Sequence, residues 1–145
     1  MRGDRGRVTP VRATRFGVVG AMKLVVLGAG GMGRYAARTA AAFDFVEDML
    51  VGDLDGRGAA RLADALGTKT RSAAVDVTDE AGLVRALSGA DVVLNTVGPL
   101  FRLGPPVLRA AIRARCHYLD INDEGSRPRP CWRWPTTRGL RASPR

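Results

Sequence analysis

The stretch KLVVLGAGGMGRYAARTAAAF, residues 23–43, decides the fold. It runs from an almost continuous apolar segment, residues 23–28, through four glycines into an alanine-rich segment with helical spacing. An uninterrupted apolar run is typical of a strand buried on both faces, as in a parallel sheet. The stretch therefore predicts a strand, a tight glycine turn and a helix that begins near Gly31 and ends near Ala42.

Working outward, short apolar runs rich in β-formers continue to alternate with helical segments up to residue 123. This alternation is typical of βαβ units and a parallel sheet. The predicted fold class is α/β, a Rossmann-type doubly wound parallel sheet of about five strands with irregular basic extensions at both ends. The further predicted strands are at 47–53, 70–77, 90–98 and 117–122. One further helix is predicted at 56–66, and a second runs from an N-cap at Thr78 to a stop at Gly89. The last predicted helix is at 105–116, with its two prolines in the first turn.

Charge divides the chain into three parts. The formal net charge is +9, but residues 22–125 carry 12 basic and 13 acidic residues, so the excess of arginine belongs to the two ends. The predicted domain, residues 22–125, is therefore a near-neutral globular unit, and the net charge says nothing about what that unit binds. Two cysteines suggest no disulfide framework, and no run reaches the roughly 20 apolar residues of a membrane span. We expect a soluble, cytoplasmic protein.

The two ends lie outside the alternating pattern of strands and helices. Residues 1–21 are interpreted as a basic leader, either disordered or translated from upstream of a natural start at Met22. Residues 126–145 combine Pro, Arg and Trp, and frequent proline forbids a long helix. This tail is interpreted as disordered or as the product of a shifted reading frame, with a nucleic-acid arm using Trp132 and Trp134 as the alternative.

The glycines match the pattern Gly-x-Gly-x-x-Gly between a strand and a helix. In that context Gly28 allows the sharp turn, Gly30 lets the backbone approach a diphosphate, and Gly33 allows close packing of helix on strand. The N–H groups at the start of the helix then face the phosphates. Gly31 adds freedom to the same turn.

An acid at the end of the second predicted strand supports the same interpretation. Asp53 follows Gly33 by 20 residues, where a carboxylate can accept hydrogen bonds from the adenosine ribose. A carboxylate there also repels a 2′-phosphate, which favours NAD over NADP, although Arg57 is near enough in sequence to blur that choice. The other interpretation of Asp53 is a solvated strand end that starts a turn with Asp55.

Other uses of a glycine-rich first turn fit less well. Methyltransferases usually place an acid just before the glycines, where this chain has Val26 and Leu27. A P-loop requires Gly-Lys-Ser/Thr, which does not follow. Short-chain dehydrogenases would require Tyr-x-x-x-Lys, but Tyr118 is followed four residues later by Asn122.

Three stretches together resemble a known family: MKLVVLGAGGMGRYAARTAA, DVVLNTVGPLFRLGPPVLRAAI and CHYLDIND. They are similar to the N-terminal NAD(P)-binding domain of saccharopine dehydrogenase-like oxidoreductases. The resemblance covers about residues 22–123 and implies that the loop of residues 95–99 passes the nicotinamide end of the cofactor. The expected cofactor-binding residues are Gly28, Gly30, Gly31, Met32, Gly33, Asp53, Leu54, Asn95, Thr96, Val97, Gly98 and Pro99.

The resemblance also implies a parent reaction, hydride exchange between NAD(P) and a C–N or C–OH centre of a small metabolite, and a homodimer in the full-length family. Such enzymes continue into a substrate domain where this chain has its tail, so we expect a truncated chain that binds cofactor better than it catalyses. Catalytic residues are not identified, and no metal site is expected. The alternative functions are a non-catalytic nucleotide-binding module and a basic protein associated with nucleic acid.

Four other residues are candidates for a role in or near the site. His117 is predicted to lie at the start of the fifth strand, away from the crevice, which favours a structural role. Asp120 lies nearer the crevice, as a site residue or a solvated acid. Cys116 is interpreted as a core residue, and Arg102 as a loop charge that could instead pair with an anionic ligand.

Overall fold

Strands and helices alternate strictly in the computed structural model, which describes residues 20–121. The strands are β1 (Met22–Leu27), β2 (Val46–Asp53), β3 (Thr70–Ala74), β4 (Val92–Asn95) and β5 (His117–Asp120). The helices are α1 (Gly31–Ala41), α2 (Gly56–Leu66), α3 (Glu80–Leu87) and α4 (Leu100–Ala114). Residues 1–19 of the predicted leader, residues 122–125 at the end of the predicted domain and fifth strand, and the whole predicted tail, 126–145, lie outside the described residues.

The five strands form one parallel sheet in the order β3-β2-β1-β4-β5. The chain moves outward in one direction from β1 to β3 and then in the other direction from β4 to β5. The strand order therefore reverses beside β1, and the carboxyl ends of β1 and β4 border a crevice of the kind in which doubly wound sheets bind ligands. The Rossmann-type fold class predicted from the sequence is confirmed.

Both faces of the sheet are buried, as the continuous apolar run of β1 predicts. Val25 faces a cluster that includes side chains of α3 and α4, such as Leu83 and Val107. Val26 faces the opposite cluster, which includes Ala37 of α1 and Leu62 of α2. Successive strand residues point to opposite faces, so a sheet covered on both sides requires apolar residues at every position.

Helix α4 begins earlier than the sequence predicted. It starts at Leu100 with Pro99 as its N-cap, and Pro105 and Pro106 lie inside it. The predicted start at residue 105 was wrong because a proline can also follow an established first turn when tertiary packing holds that turn in place. Here the Pro99 carbonyl oxygen accepts from the N–H of Leu103 at 3.0 Å, and the Leu103 side chain packs on the core.

The N-cap of α3 is Asp79, so the prediction of Thr78 was wrong by one residue. The Asp79 carboxylate accepts from the N–H of Gly82 at 3.1 Å. The Thr78 hydroxyl instead donates to the carboxylate of Asp76 at 2.6 Å, which leaves the capping position to the next residue. Gly89, with φ +78°, follows the end of this helix, as predicted.

Several strands are shorter than predicted. Strand β3 ends at Ala74 and β4 covers residues 92–95, because the flanking residues turn into loops where these strands end.

The longest helix described, α4, has 15 residues. Between residues 20 and 121 no helix combines the length and the apolar character needed to cross a bilayer.

Candidate functional site

The glycine turn lies at the carboxyl end of β1, in the centre of the sheet. Gly28 has φ +99°, in the left-handed region that side chains with a Cβ atom rarely adopt. Its N–H donates to the carbonyl oxygen of Gly52 at 2.7 Å, which ties the turn to β2. The chain then reverses through Ala29, and α1 begins at Gly31 with Gly30 as its N-cap.

Gly28 and Gly33 are required by close packing. A Cβ atom at Gly28 would lie 2.5 Å from the Thr96 hydroxyl oxygen. A Cβ atom at Gly33 would overlap the Gly28 carbonyl oxygen and lie 2.7 Å from the same hydroxyl. The first turn of α1 therefore contacts the ends of β1 and β4 directly, which is the role the sequence predicted for Gly33.

Gly30 and Gly31 have different surroundings, because no atom lies within 4 Å of a Cβ built at either position. Gly30 has no side chain to cap the helix, and the first turn of α1 contains no acidic residue. Met32, in the same turn, is 59% exposed. The entrance of α1 is therefore open to a ligand, and the partial positive charge of the helix N-terminus is not offset by a neighbouring carboxylate of that turn.

Asp53 ends β2 directly beside the glycine turn. One carboxylate oxygen accepts from the N–H of Ala29 at 2.6 Å, and the other accepts from the N–H of Asp55 at 2.8 Å. The hydrogen bond to Ala29 joins residues 24 positions apart in the chain. Asp53 thus holds the turn in its conformation, a role that sequence spacing alone did not indicate, and it also starts the turn with Asp55 that formed the alternative interpretation.

The loop after β4 forms the other side of the crevice. The Thr96 hydroxyl donates to the Leu27 carbonyl oxygen at 2.7 Å, and the Thr96 N–H donates to the same oxygen at 2.9 Å. Thr96 therefore lies between the end of β1 and the start of α1. Beyond it, Gly98 and Pro99 are exposed and joined by a cis peptide bond.

Asn95 is fully buried at the end of β4. Its side-chain oxygen accepts from the N–H of Val97 at 3.1 Å, and its Nδ2 donates to the Tyr118 hydroxyl oxygen at 3.3 Å. The Tyr118 hydroxyl in turn donates to Asp120 at 3.0 Å. The sequence carries no signal for this contact, because Asn95 and Tyr118 lie on neighbouring strands and are 23 residues apart in the chain.

The rim of the crevice next to Asp53 is exposed and carries both apolar and basic side chains. Leu54 is 75% exposed. Arg57 is exposed, and Arg61 lies 3.7 Å from the Asp55 carboxylate. Two arginines of α2 thus follow Asp53 closely in the chain, and one of them is paired with Asp55.

Asp76 follows β3 at the same edge of the sheet and was not singled out from the sequence. Hydrogen bonds from the Thr78 hydroxyl and N–H lower the pKa of its carboxyl group below the ordinary value. It therefore adds a further acid at the carboxyl edge, one strand beyond Asp53. Its position after a strand, like that of Asp53 after β2, was the available signal.

His117 lies at the opposite end of the sheet from the crevice, as predicted, and Cys116 directly precedes it. The His117 N–H donates to the Asp91 carbonyl oxygen at 2.8 Å, at the start of β5. Cys116 is buried, and burial raises the pKa of its thiol, with a further contribution from the nearby Asp91 charge. A raised thiol pKa suits a packed core residue rather than a nucleophile. Arg102 is exposed at the start of α4.

The same amino-terminal end of the sheet holds a shallow cavity of about 120 Å³. Lys23, Asp48 and Arg71 are among its lining residues. Asp48 and Arg71 form a bidentate pair with distances of 2.8 and 3.0 Å, and the arginine lowers the pKa of the Asp48 carboxyl group. This cavity lies at the amino-terminal ends of the strands and the glycine turn lies at their carboxyl ends, so the cavity does not belong to the crevice. Among residues 20–121 no three His, Cys, Asp or Glu side chains are grouped to hold a metal ion.

Comparison with known proteins agrees with this geometry. A family model described as the saccharopine dehydrogenase NADP binding domain matches residues 24–137. The structure is similar to apo saccharopine dehydrogenase (L-Glu forming) from Saccharomyces cerevisiae, with 27% sequence identity and a TM-score of 0.62. The match covers 76% of this chain and 23% of the yeast enzyme, so the chain spans about a quarter of that relative.

Two further solved structures share the fold at lower identity. Uronate dehydrogenase from Agrobacterium tumefaciens has 19% identity and a TM-score of 0.51, over 68% of this chain and 40% of that one. A wide-type short-chain dehydrogenase/reductase from Veillonella parvula, solved in complex with NADP, has 14% identity and a TM-score of 0.57, over 68% of this chain and 46% of that one. Both place the sheet among Rossmann-like folds.

Proposed function

The chain belongs to the saccharopine dehydrogenase family, within its NADP-binding domain, and we propose that its glycine turn receives the diphosphate of a nicotinamide dinucleotide. The observation that carries this proposal is the open backbone at Gly30 and Gly31, at the entrance of α1 and beside the Asp53 carboxylate. A diphosphate needs N–H donors and a path free of side chains. The first turn of α1 supplies the N–H donors, and the space beside Gly30 and Gly31 is open.

Asp53 is the group that we propose for the adenosine ribose. Each of its carboxylate oxygens accepts one backbone N–H, and a carboxylate oxygen has about two lone-pair sites, so each retains one for a ribose hydroxyl. The exposed Leu54 side chain is proposed to contact the adenine side of the ligand.

We propose that NAD is preferred over NADP, because a 2′-phosphate would lie against the negative charge of Asp53. The description of the matching family model names an NADP binding domain. Arg57 is the cation that would receive a 2′-phosphate if NADPH proved the better ligand. The ratio of the two affinities decides between these possibilities.

The loop after β4 is proposed to pass the nicotinamide. Gly28 and Gly33 shape the turn, and Thr96, Val97, Gly98 and Pro99 follow the end of β4 on the other side of the crevice. No atom lies within 4 Å of a Cβ atom built at Gly98, so the backbone there is open to a flat ring.

The parent reaction that we propose is hydride exchange between this cofactor and a C–N or C–OH centre of a small metabolite. Hydride transfer requires groups that position the substrate and exclude water from the nicotinamide. We assign no such catalytic group among residues 20–121. For full-length members of the family we propose a homodimer.

A fluorescence titration with NADH and NADPH tests the proposal. The wild-type chain should enhance NADH fluorescence, and Gly30→Glu should weaken binding by roughly a hundredfold, about 2.7 kcal/mol, by placing a charged side chain in the diphosphate path. Gly20→Glu is the matched control, because position 20 is also exposed and open but precedes β1. The proposal fails if the wild type binds neither dinucleotide, or if Gly30→Glu binds as well as Gly20→Glu does.

The same preparation can be tested for DNA binding over a range of salt concentrations. Affinity that falls steeply with salt, in a chain that does not bind NADH, would favour the nucleic-acid alternative.

A further inference from the structure

Three hydrogen bonds run in one direction from the loop after β4 to the edge strand β5. The Val97 N–H donates to Asn95 Oδ1, Asn95 Nδ2 donates to the Tyr118 hydroxyl oxygen, and that hydroxyl donates to Asp120 Oδ2. The distances are 3.1, 3.3 and 3.0 Å. We call this chain of bonds the Asn95 relay.

The direction of the relay determines how the Asn95 amide is oriented. An amide side chain has an accepting oxygen and a donating NH2 group, and the Val97 N–H can only donate. The oxygen must therefore face Val97, and the NH2 group faces the hydroxyl of Tyr118. Because Asn95 is fully buried, loss of that acceptor would leave a donor without a partner in the protein interior, which is costly.

From this geometry we propose that Tyr118 is a positioning residue for the loop of residues 96–99. It acts through the Asn95 amide, which holds the Val97 N–H at the entrance of the loop. The Tyr118 ring also packs on the core cluster that includes side chains of α4, and this packing fixes the position of its hydroxyl beside β4. A phenylalanine at this position would keep the ring packing and remove the hydroxyl alone.

The effect on the loop can be measured without any ligand. Amide hydrogen exchange followed by NMR should show Val97 exchanging about tenfold faster in Tyr118→Phe than in the wild type. Ala29, whose N–H is held by Asp53 on the other side of the crevice, should change by less than twofold. Tyr35→Phe is the matched control, because Tyr35 is 71% exposed on α1, and it should change neither rate. An unchanged rate at Val97, or an equal acceleration throughout the sheet, would overturn the proposal.

A second measurement asks whether the positioned loop serves the nicotinamide half of the ligand, and this part rests on the proposed function. Tyr118→Phe should weaken NADH binding three- to tenfold while changing the affinity for ADP-ribose, which lacks nicotinamide, by less than twofold. Equal weakening of both ligands, or of neither, would overturn a positioning role at that end of the cofactor. If the wild type binds neither ligand, the proposed function fails, and the exchange rate of Val97 still decides whether the relay positions the loop.

Discussion

Gly31 and Gly33 lie in the same turn of α1, and replacing each with alanine should change stability in opposite directions. Alanine is favoured over glycine inside a helix by about 1 kcal/mol, so Gly31→Ala, whose Cβ atom meets open space, should stabilise the protein by about 0.5–1 kcal/mol. The backbone at Gly31 is not in the left-handed region, so the methyl group introduces no strain.

Gly33→Ala has the same gain in helix propensity but a larger steric cost. Its Cβ atom would overlap the Gly28 carbonyl oxygen and lie 2.7 Å from both the Gly28 carbonyl carbon and the Thr96 hydroxyl oxygen. Overpacking of this kind costs about 1–3 kcal/mol, and displacing the Thr96 hydroxyl from Leu27 costs about 1 kcal/mol more. After the gain in helix propensity is subtracted, we expect a net loss of about 2 kcal/mol.

Urea and thermal unfolding followed by far-ultraviolet circular dichroism measure both changes. The two variants should differ by about 3 kcal/mol, or more than about 10 °C in Tm for a domain of this size. The reasoning is refuted if Gly33→Ala is as stable as the wild type, since α1 would then not be packed against the ends of β1 and β4 as described. Equal destabilisation by both variants would show instead that the helix propensity argument is wrong.

Two further predictions concern the stability of the domain. Because the hydrogen bonds from Arg71 lower the pKa of Asp48, that carboxylate stabilises the fold above its ordinary pKa, and the stabilisation is lost as the pH falls through the lowered value. The pair is partly exposed, so Asp48→Asn should cost about 0.5 kcal/mol at pH 7 and nothing at about pH 2, measured by urea unfolding at each pH. Asp79→Ala should cost about 1 kcal/mol in the same assay at pH 7, because it removes the N-cap of α3. Thr78→Ala should cost less, and a larger loss for Thr78 would contradict the assignment of the cap.

The site was predictable to the extent that it depends on local chemistry. Gly28 and Gly33 could be recognised because a strand, a turn and a helix follow one another within a few residues and leave no room for a Cβ atom. Asp53 could be located because it ends the next strand. The bond from Asp53 to Ala29 could not be foreseen, because it depends on how β1 and β2 are aligned in the sheet.

The start of α4 shows the same limit in the fold. Proline is most favourable in the first turn of a helix, and that preference placed the start at Pro105. The helix extends back to Leu100 because Leu103 contacts the core and Pro99 accepts the first hydrogen bonds. The preference of proline for the first turn is overcome when packing in the interior stabilises an additional turn before it.

The sequence by itself determined the alternation of buried strands and amphipathic helices, and with it the parallel sheet and the glycine turn at the end of β1, since each depends on neighbours in the chain. Tertiary structure alone decided that Thr96 lies against both Gly28 and Gly33, and that the Asn95 amide donates to the Tyr118 hydroxyl. Those contacts join residues from segments that are far apart in the chain. Their existence depends on strand order and register, which no short window of sequence contains.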